Sequence, residues 1–138
     1  MAKFFYWLAP LYTSLIIYFS IGDSPAPPVD IDHIDKIYHA GAYFIMALLW
    51  YFFFYSRFLT QQSHFKFTWS DIAASWSRTI AVAAAVLSFT VGVLIEFAQE
   101  FISVNRTMDF MDAVANTSGI ILAILLLWFI STRFNTHS

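Results

Sequence analysis

Four apolar stretches, each about as long as a bilayer is thick, dominate this chain of 138 residues. They cover residues 4–21, 37–58, 79–102 and 112–130. A helix needs about 20 mostly apolar residues to cross roughly 30 Å of hydrocarbon. Hydrophobic residues make up 59% of the chain, against about 45–50% in soluble domains. The sequence therefore predicts an all-α polytopic membrane protein, a bundle of four transmembrane helices forming a single domain over residues 1–138.

The first apolar stretch has an alternative interpretation as a cleaved signal peptide. Lys3 precedes it, and small residues follow it near Ser24 and Ala26. The run is longer than the roughly 7–15 apolar residues of a signal core, which favours a membrane span. The longest polar connection, residues 57–78, carries Trp69, Ile72, Ala73 and Trp76 at helical spacing, a pattern typical of an amphipathic helix in the headgroup layer.

The positions of the charged residues predict the orientation of the chain. With a cytoplasmic N-terminus, four spans place five of the seven lysines and arginines inside, as the positive-inside rule requires. We therefore expect a multi-pass protein of the cell (inner or cytoplasmic) membrane, with both termini in the cytoplasm. The formal net charge of -2 does not indicate a nucleic-acid partner, and the absence of cysteine excludes disulfides and thiolate chemistry.

Polar residues interrupt the apolar pattern where three spans reach the extracytoplasmic side. These are the start of the second span, the end of the third and the start of the fourth. Asp35 and His39 are four residues apart, and Asp112 and Asn116 have the same spacing, so each pair lies on one helix face. Glu96 lies about 9 Å below the end of its span. Because an unpaired carboxylate at that depth is costly, we expect it to be paired, protonated or facing a hydrated cavity.

The order of these residues resembles the signature of the VanZ-like membrane proteins, named after a glycopeptide-resistance accessory protein. The matching elements are Asp35-Lys36-x-x-His39, Glu96-x-x-Gln99, Arg106, Asp112-x-x-x-Asn116 and Gly119. The resemblance implies a small integral membrane protein of the bacterial envelope, with members linked to resistance against teicoplanin-type antibiotics, and it implies no particular reaction. Val104-Asn105 stands where the family often has Pro-Gly, and Ala123 replaces a second glycine; both departures concern backbone packing.

The favoured function is an outward-facing polar pocket that binds a lipid-linked or amphipathic molecule, either a lipid-linked envelope precursor or a lipophilic glycopeptide. In this hypothesis Lys36 and Arg106 meet an anionic headgroup, while Glu96 and His39 set the protonation of the pocket. The predicted binding residues are Asp35, Lys36, His39, Glu96, Gln99, Arg106, Asp112 and Asn116.

Two other classes of function remain open. An intramembrane enzyme acting on such a lipid would use His39 or Glu96 as general base and Arg106 to stabilise negative charge. A scaffold or proton-transport component would use the polar residues to fix helix register, with Asn116 and Gln99 as interhelical hydrogen bonds and Arg106 as a counter-charge. Gly119 is expected to permit close helix contact.

No metal or cofactor is predicted from the sequence. His39, Glu96, Asp109 and Asp112 carry the imidazole and carboxylate groups that suit zinc or manganese. Nothing resembling an HExxH element accompanies them, so a metal site is the less favoured interpretation of these residues.

Overall fold

The computed structural model describes residues 2–22, 34–62, 76–102 and 109–135. This part of the chain forms four helices: α1 (Ala2–Ile21), α2 (Ile34–Gln62), α3 (Arg78–Ile102) and α4 (Phe110–Asn135). Each of the four apolar stretches lies within one of these helices. Arg106 and most of the expected interfacial segment, Trp69 included, lie outside the described residues.

Three of these helices are long and apolar enough to cross a membrane, over Ile34–Gln61, Arg78–Ile102 and Phe110–Arg133. The described apolar part of α1, Tyr6–Ile21, is shorter. Large apolar side chains are exposed along the outer faces, among them Phe89 and Leu125, which are 50% and 52% exposed. A soluble domain rarely leaves such extensive apolar surface in contact with water, so these outer faces are suited to the interior of a bilayer.

Helix α2 lies at the centre of the bundle and packs against the other three, most extensively against α4. The contact with α4 depends on Gly119. A Cβ built at Gly119 would lie 2.0 Å from the carbonyl oxygen of Ala40, so the two backbones touch directly. The missing side chain allows this approach, as the sequence indicated.

The packing of α2 against α3 places the ring of Tyr43 over Gly92. Ser88 and Gly92 of α3 are both buried, and a Cβ at Gly92 would lie 2.9 Å from Cε1 of Tyr43. Tyr43 itself is 2% exposed and packs among Met46, Ala47, Ile120 and Ala123. These contacts hold the N-terminal half of α2 against both α3 and α4, which positions the polar residues at that end of the bundle.

Candidate functional site

The N-terminal turns of α2 and α4 meet the C-terminal part of α3 at one end of the bundle. There they bring together seven polar residues, called here the polar cluster: Asp35, Lys36, His39, Glu96, Asp109, Asp112 and Asn116. The cluster forms because α2 and α4 run in the same direction, opposite to α3. Residues far apart in sequence thereby become neighbours at one boundary of the apolar spans.

Lys36 lies at the centre of an ion-pair network. Its ammonium nitrogen Nζ is 2.6 Å from Oδ2 of Asp109 and 3.0 Å from Oδ2 of Asp35, and it also donates to Oδ1 of Asp112. A lysine ammonium group has three N–H donors, and three carboxylates surround this one. The structure thus places Lys36 as a counter-charge within the cluster, linking α2 to the start of α4.

Asp109 directly precedes α4 and belongs to the cluster. The sequence marked it as a possible metal ligand but not as a binding residue. Its Oδ1 accepts a hydrogen bond of 2.8 Å from the backbone N–H of Met111. The hydrogen bond from Lys36, with this backbone N–H, holds the pKa of the Asp109 carboxyl below its usual range. An aspartate directly before an apolar run is a helix-capping signal, and this signal could have identified it.

His39 connects the two polar residues of α4. Its Nδ1 lies 3.1 Å from the side-chain oxygen Oδ1 of Asn116. Because an amide oxygen only accepts, this hydrogen bond requires the proton on Nδ1. The other ring nitrogen, Nε2, lies 3.5 Å from Oδ2 of Asp112, which is longer than a normal N–H···O hydrogen bond.

Glu96 reaches the cluster from α3 and is the most deeply buried of its acidic residues, at 2% exposed. One of its carboxylate oxygens, Nε2 or Nδ1 of His39 and an oxygen of Asp112 all lie within 4.8 Å of one another. The backbone N–H of Asp109 approaches the Glu96 carboxylate but does not form a well-aligned hydrogen bond with it. Neither Glu96 oxygen has a hydrogen-bond partner among the described residues, which is unusual for a buried carboxylate.

The remaining predicted site residues lie elsewhere. Gln99 donates from Nε2 to the backbone oxygen of Ser20 at 3.0 Å and so ties α3 to the end of α1. This is an interhelical hydrogen bond of the kind expected. Arg106 lies outside the described part of the chain. An open cavity of about 470 Å³, lined by residues that include Tyr6 and Arg57, lies at the opposite end of the bundle from the cluster.

Exposed apolar side chains border the polar cluster on all three helix ends. Those more than half exposed are Ile37, Tyr38, Phe101, Ile102, Phe110 and Met111. The end of the bundle therefore combines a charged centre with an apolar rim. A molecule with a polar head and an apolar tail would find a complementary surface for each part.

These features define an all-helical protein with three helices long and apolar enough to span a membrane and a polar cluster at one end of its bundle. The VanZ/LLP1 family model matches residues 4–131, and the chain belongs to this family. An uncharacterized protein of Schizosaccharomyces pombe is 33% identical over 119 residues, which are 86% of this chain and 60% of the relative. The chain therefore spans about 60% of the length of that relative. No solved structure matches the chain.

Proposed function

We propose that this protein binds the polar head of a lipid-linked or amphipathic molecule at the polar cluster, with the apolar part of the ligand lying along the exposed helix faces in the bilayer. The observation that best supports the proposal concerns Glu96. This residue is only 2% exposed, and its carboxylate oxygens lack hydrogen-bond partners among the described residues. A buried unpaired carboxylate costs folding free energy. A ligand group that pairs with the Glu96 carboxylate on binding explains why a carboxylate is buried at this position.

The charge of the cluster indicates the chemistry of the head group. Among the described residues, the cluster contains four carboxylates and one ammonium group, that of Lys36. Acceptor oxygens outnumber donors, so the head group that binds directly is one rich in hydroxyl or amine donors. Lipid-linked saccharides and the sugar-bearing, lipophilic glycopeptides both have such groups.

The proposal includes four membrane spans, both termini in the cytoplasm and the polar cluster at the extracytoplasmic boundary. Arg57 and Arg133 lie near the opposite end, at the C-terminal parts of α2 and α4. Arg57 lies over the ring of Tyr6, 5.5 Å from its centroid. This distribution supports the orientation because cytoplasmic boundaries are enriched in arginine and lysine.

Cysteine labelling tests this orientation, since the natural chain contains no cysteine. Asp35→Cys and Gln61→Cys introduce single thiols at exposed positions near opposite ends of α2. In intact cells a membrane-impermeant maleimide is expected to label the thiol at position 35 and to label position 61 only after the membrane is opened. The reverse pattern would contradict the proposed orientation.

Glu96→Gln is expected to weaken ligand binding at least tenfold while the protein stays folded, because the amide has the shape of the carboxylate but lacks its charge. The matched control is Glu100→Gln, one turn further along α3 at an exposed position. Binding of teicoplanin to the purified protein in lipid nanodiscs can be measured by isothermal titration. We expect saturable binding by the wild type and by Glu100→Gln. The affinity of Glu96→Gln should be at least tenfold lower, which corresponds to about 1.4 kcal/mol of binding free energy.

The same three proteins can be compared in a sensitive host for protection against teicoplanin at equal membrane abundance. Protection lost in Glu96→Gln and kept in Glu100→Gln would support a link to resistance. Full protection in Glu96→Gln, or equal binding by both variants, would contradict a binding role for the cluster.

An intramembrane enzyme acting on the same class of molecule is the alternative function. One observation favours it: the pair formed by His39 and Asp112, at 3.5 Å, lies beside Glu96. A histidine next to two carboxylates can accept and return a proton near neutral pH. Chemical analysis of a bound lipid after incubation separates the two functions, because binding leaves the lipid unchanged.

A further inference from the structure

We propose that His39, Glu96 and Asp112 form a binding site for a divalent metal ion. The proposal does not depend on an amphipathic ligand, and it departs from the sequence-based expectation that no metal binds. The three residues come from three different helices: α2, α3 and α4. A bound ion would therefore also join the helices at this end of the bundle.

The geometry brings one possible ligand atom from each residue to a common point. A ring nitrogen of His39 and one oxygen each from Glu96 and Asp112 all lie within 4.8 Å of one another. Zinc binds such nitrogen and oxygen ligands at about 2.0–2.2 Å, which sets the ligand atoms roughly 3.0–3.5 Å apart. The 3.5 Å between Nε2 of His39 and Oδ2 of Asp112 meets this spacing, so only Glu96 has to approach.

The surroundings orient two of these ligands for a metal. Asn116 accepts the Nδ1 proton of His39, so in the neutral imidazole the lone pair is on Nε2, the atom facing Asp112. Histidine ligands in metal sites usually donate their other N–H to such an acceptor. Lys36 donates to Oδ1 of Asp112 and so leaves Oδ2 turned toward His39.

The charge distribution among the described residues at this point suits a positively charged partner. The Nε2 lone pair and the oxygen Oδ2 of Asp112 face each other, and the Glu96 oxygens have no hydrogen-bond partner within the described ranges. With His39 neutral and both carboxylates ionised, these three electron-pair donors repel one another. A dication at their centre converts this repulsion into coordination, and it satisfies the buried carboxylate of Glu96.

The set of ligand types narrows the choice of metal. One imidazole with two carboxylates suits zinc and manganese, whereas magnesium and calcium favour oxygen-only sites. Three protein ligands leave at least one coordination position open. A head-group oxygen or a water molecule can occupy that position.

Metal titration of the full chain tests the proposal. The protein is purified in detergent, stripped with a chelator and titrated with Zn²⁺ or Mn²⁺ alone. We expect one ion per chain for the wild type and for Glu100→Gln. Glu96→Gln loses a metal ligand and is expected to bind the ion at least tenfold more weakly. Asn116→Ala loses the acceptor that orients His39, and its metal affinity should fall by about 10–100-fold.

If a variant fails to fold, the wild type alone still tests the proposal. The measurement is pulsed electron paramagnetic resonance of the Mn²⁺-loaded wild type. Coordination by His39 predicts a coupling to an imidazole nitrogen. A wild type that binds no stoichiometric ion, or binds Mn²⁺ without nitrogen coupling, would overturn the proposal. Equal metal affinity in Glu96→Gln and Glu100→Gln would also overturn it.

Discussion

Gly119→Ala is expected to lower the free energy of unfolding by more than about 3 kcal/mol and to sharply reduce the amount of folded protein in the membrane. The added Cβ would lie 2.0 Å from the carbonyl oxygen of Ala40 and 2.8 Å from its carbonyl carbon. Overpacking a rigid contact costs typically 1–3 kcal/mol, and here the opposing group is backbone, which cannot change rotamer. Helices α2 and α4 would have to separate along their main contact.

Two other glycines provide the controls for this prediction. A Cβ at Gly41 meets nothing within 4 Å, so Gly41→Ala is expected to be neutral or to stabilise α2 by up to about 1 kcal/mol. Gly92→Ala meets the ring of Tyr43 at 2.9 Å and should have an intermediate effect. Thermal unfolding in detergent, followed by circular dichroism, measures all three variants. Equal stability of Gly119→Ala and Gly41→Ala would contradict the close contact of α2 with α4.

Lys36→Met is expected to destabilise the protein by about 2 kcal/mol, because it removes the one ammonium group that joins three carboxylates. Breaking a fully buried ion pair costs about 3–5 kcal/mol. The expected loss is smaller here because the side chains of Asp35 and Asp109 are 59% and 44% exposed to solvent, which screens the charges. Thermal unfolding at neutral pH checks the size of the effect.

A second substitution and a pH series identify the cause of that loss. Adding Asp112→Asn to Lys36→Met removes one unpaired carboxylate and should recover part of the stability. The pKa of Asp109 is lowered in the folded protein, so its contribution is present above the pKa of the unfolded chain and lost as the pH falls. Lys36→Met should show a smaller acid-dependent loss, because only the hydrogen bond from the backbone N–H of Met111 remains, and an identical acid response in both proteins would contradict the network.

The helices of this fold were predictable from the sequence because the length of an apolar run sets whether it can cross a bilayer. The meeting of His39, Glu96 and Asp112 also followed from the alternating direction of consecutive helices. The burial of Glu96 was foreseen from its depth within the third apolar stretch.

The side-chain contacts of individual residues could not be predicted from the sequence. Helical spacing assigns a residue to a face, but it does not fix how each helix is rotated about its axis. Gln99 therefore points to Ser20 of α1, away from the cluster. A flexible lysine can reach several acids, so the triple contact of Lys36 with Asp35, Asp109 and Asp112 depends on side-chain conformations that the sequence pattern does not specify.

The central claim is that Glu96 is held in the polar cluster for a ligand and does not serve to stabilise the bundle. The most direct test is the thermal unfolding of Glu96→Gln and wild type at neutral pH, with a chelator and without added ligand. Removing a buried charge that lacks a hydrogen-bond partner among the described residues is expected to raise the free energy of unfolding by at least about 1 kcal/mol. Glu100→Gln, at an exposed position, should change it by less than about 1 kcal/mol. A clear loss of stability in Glu96→Gln would contradict the claim and identify the carboxylate as a structural link between helices.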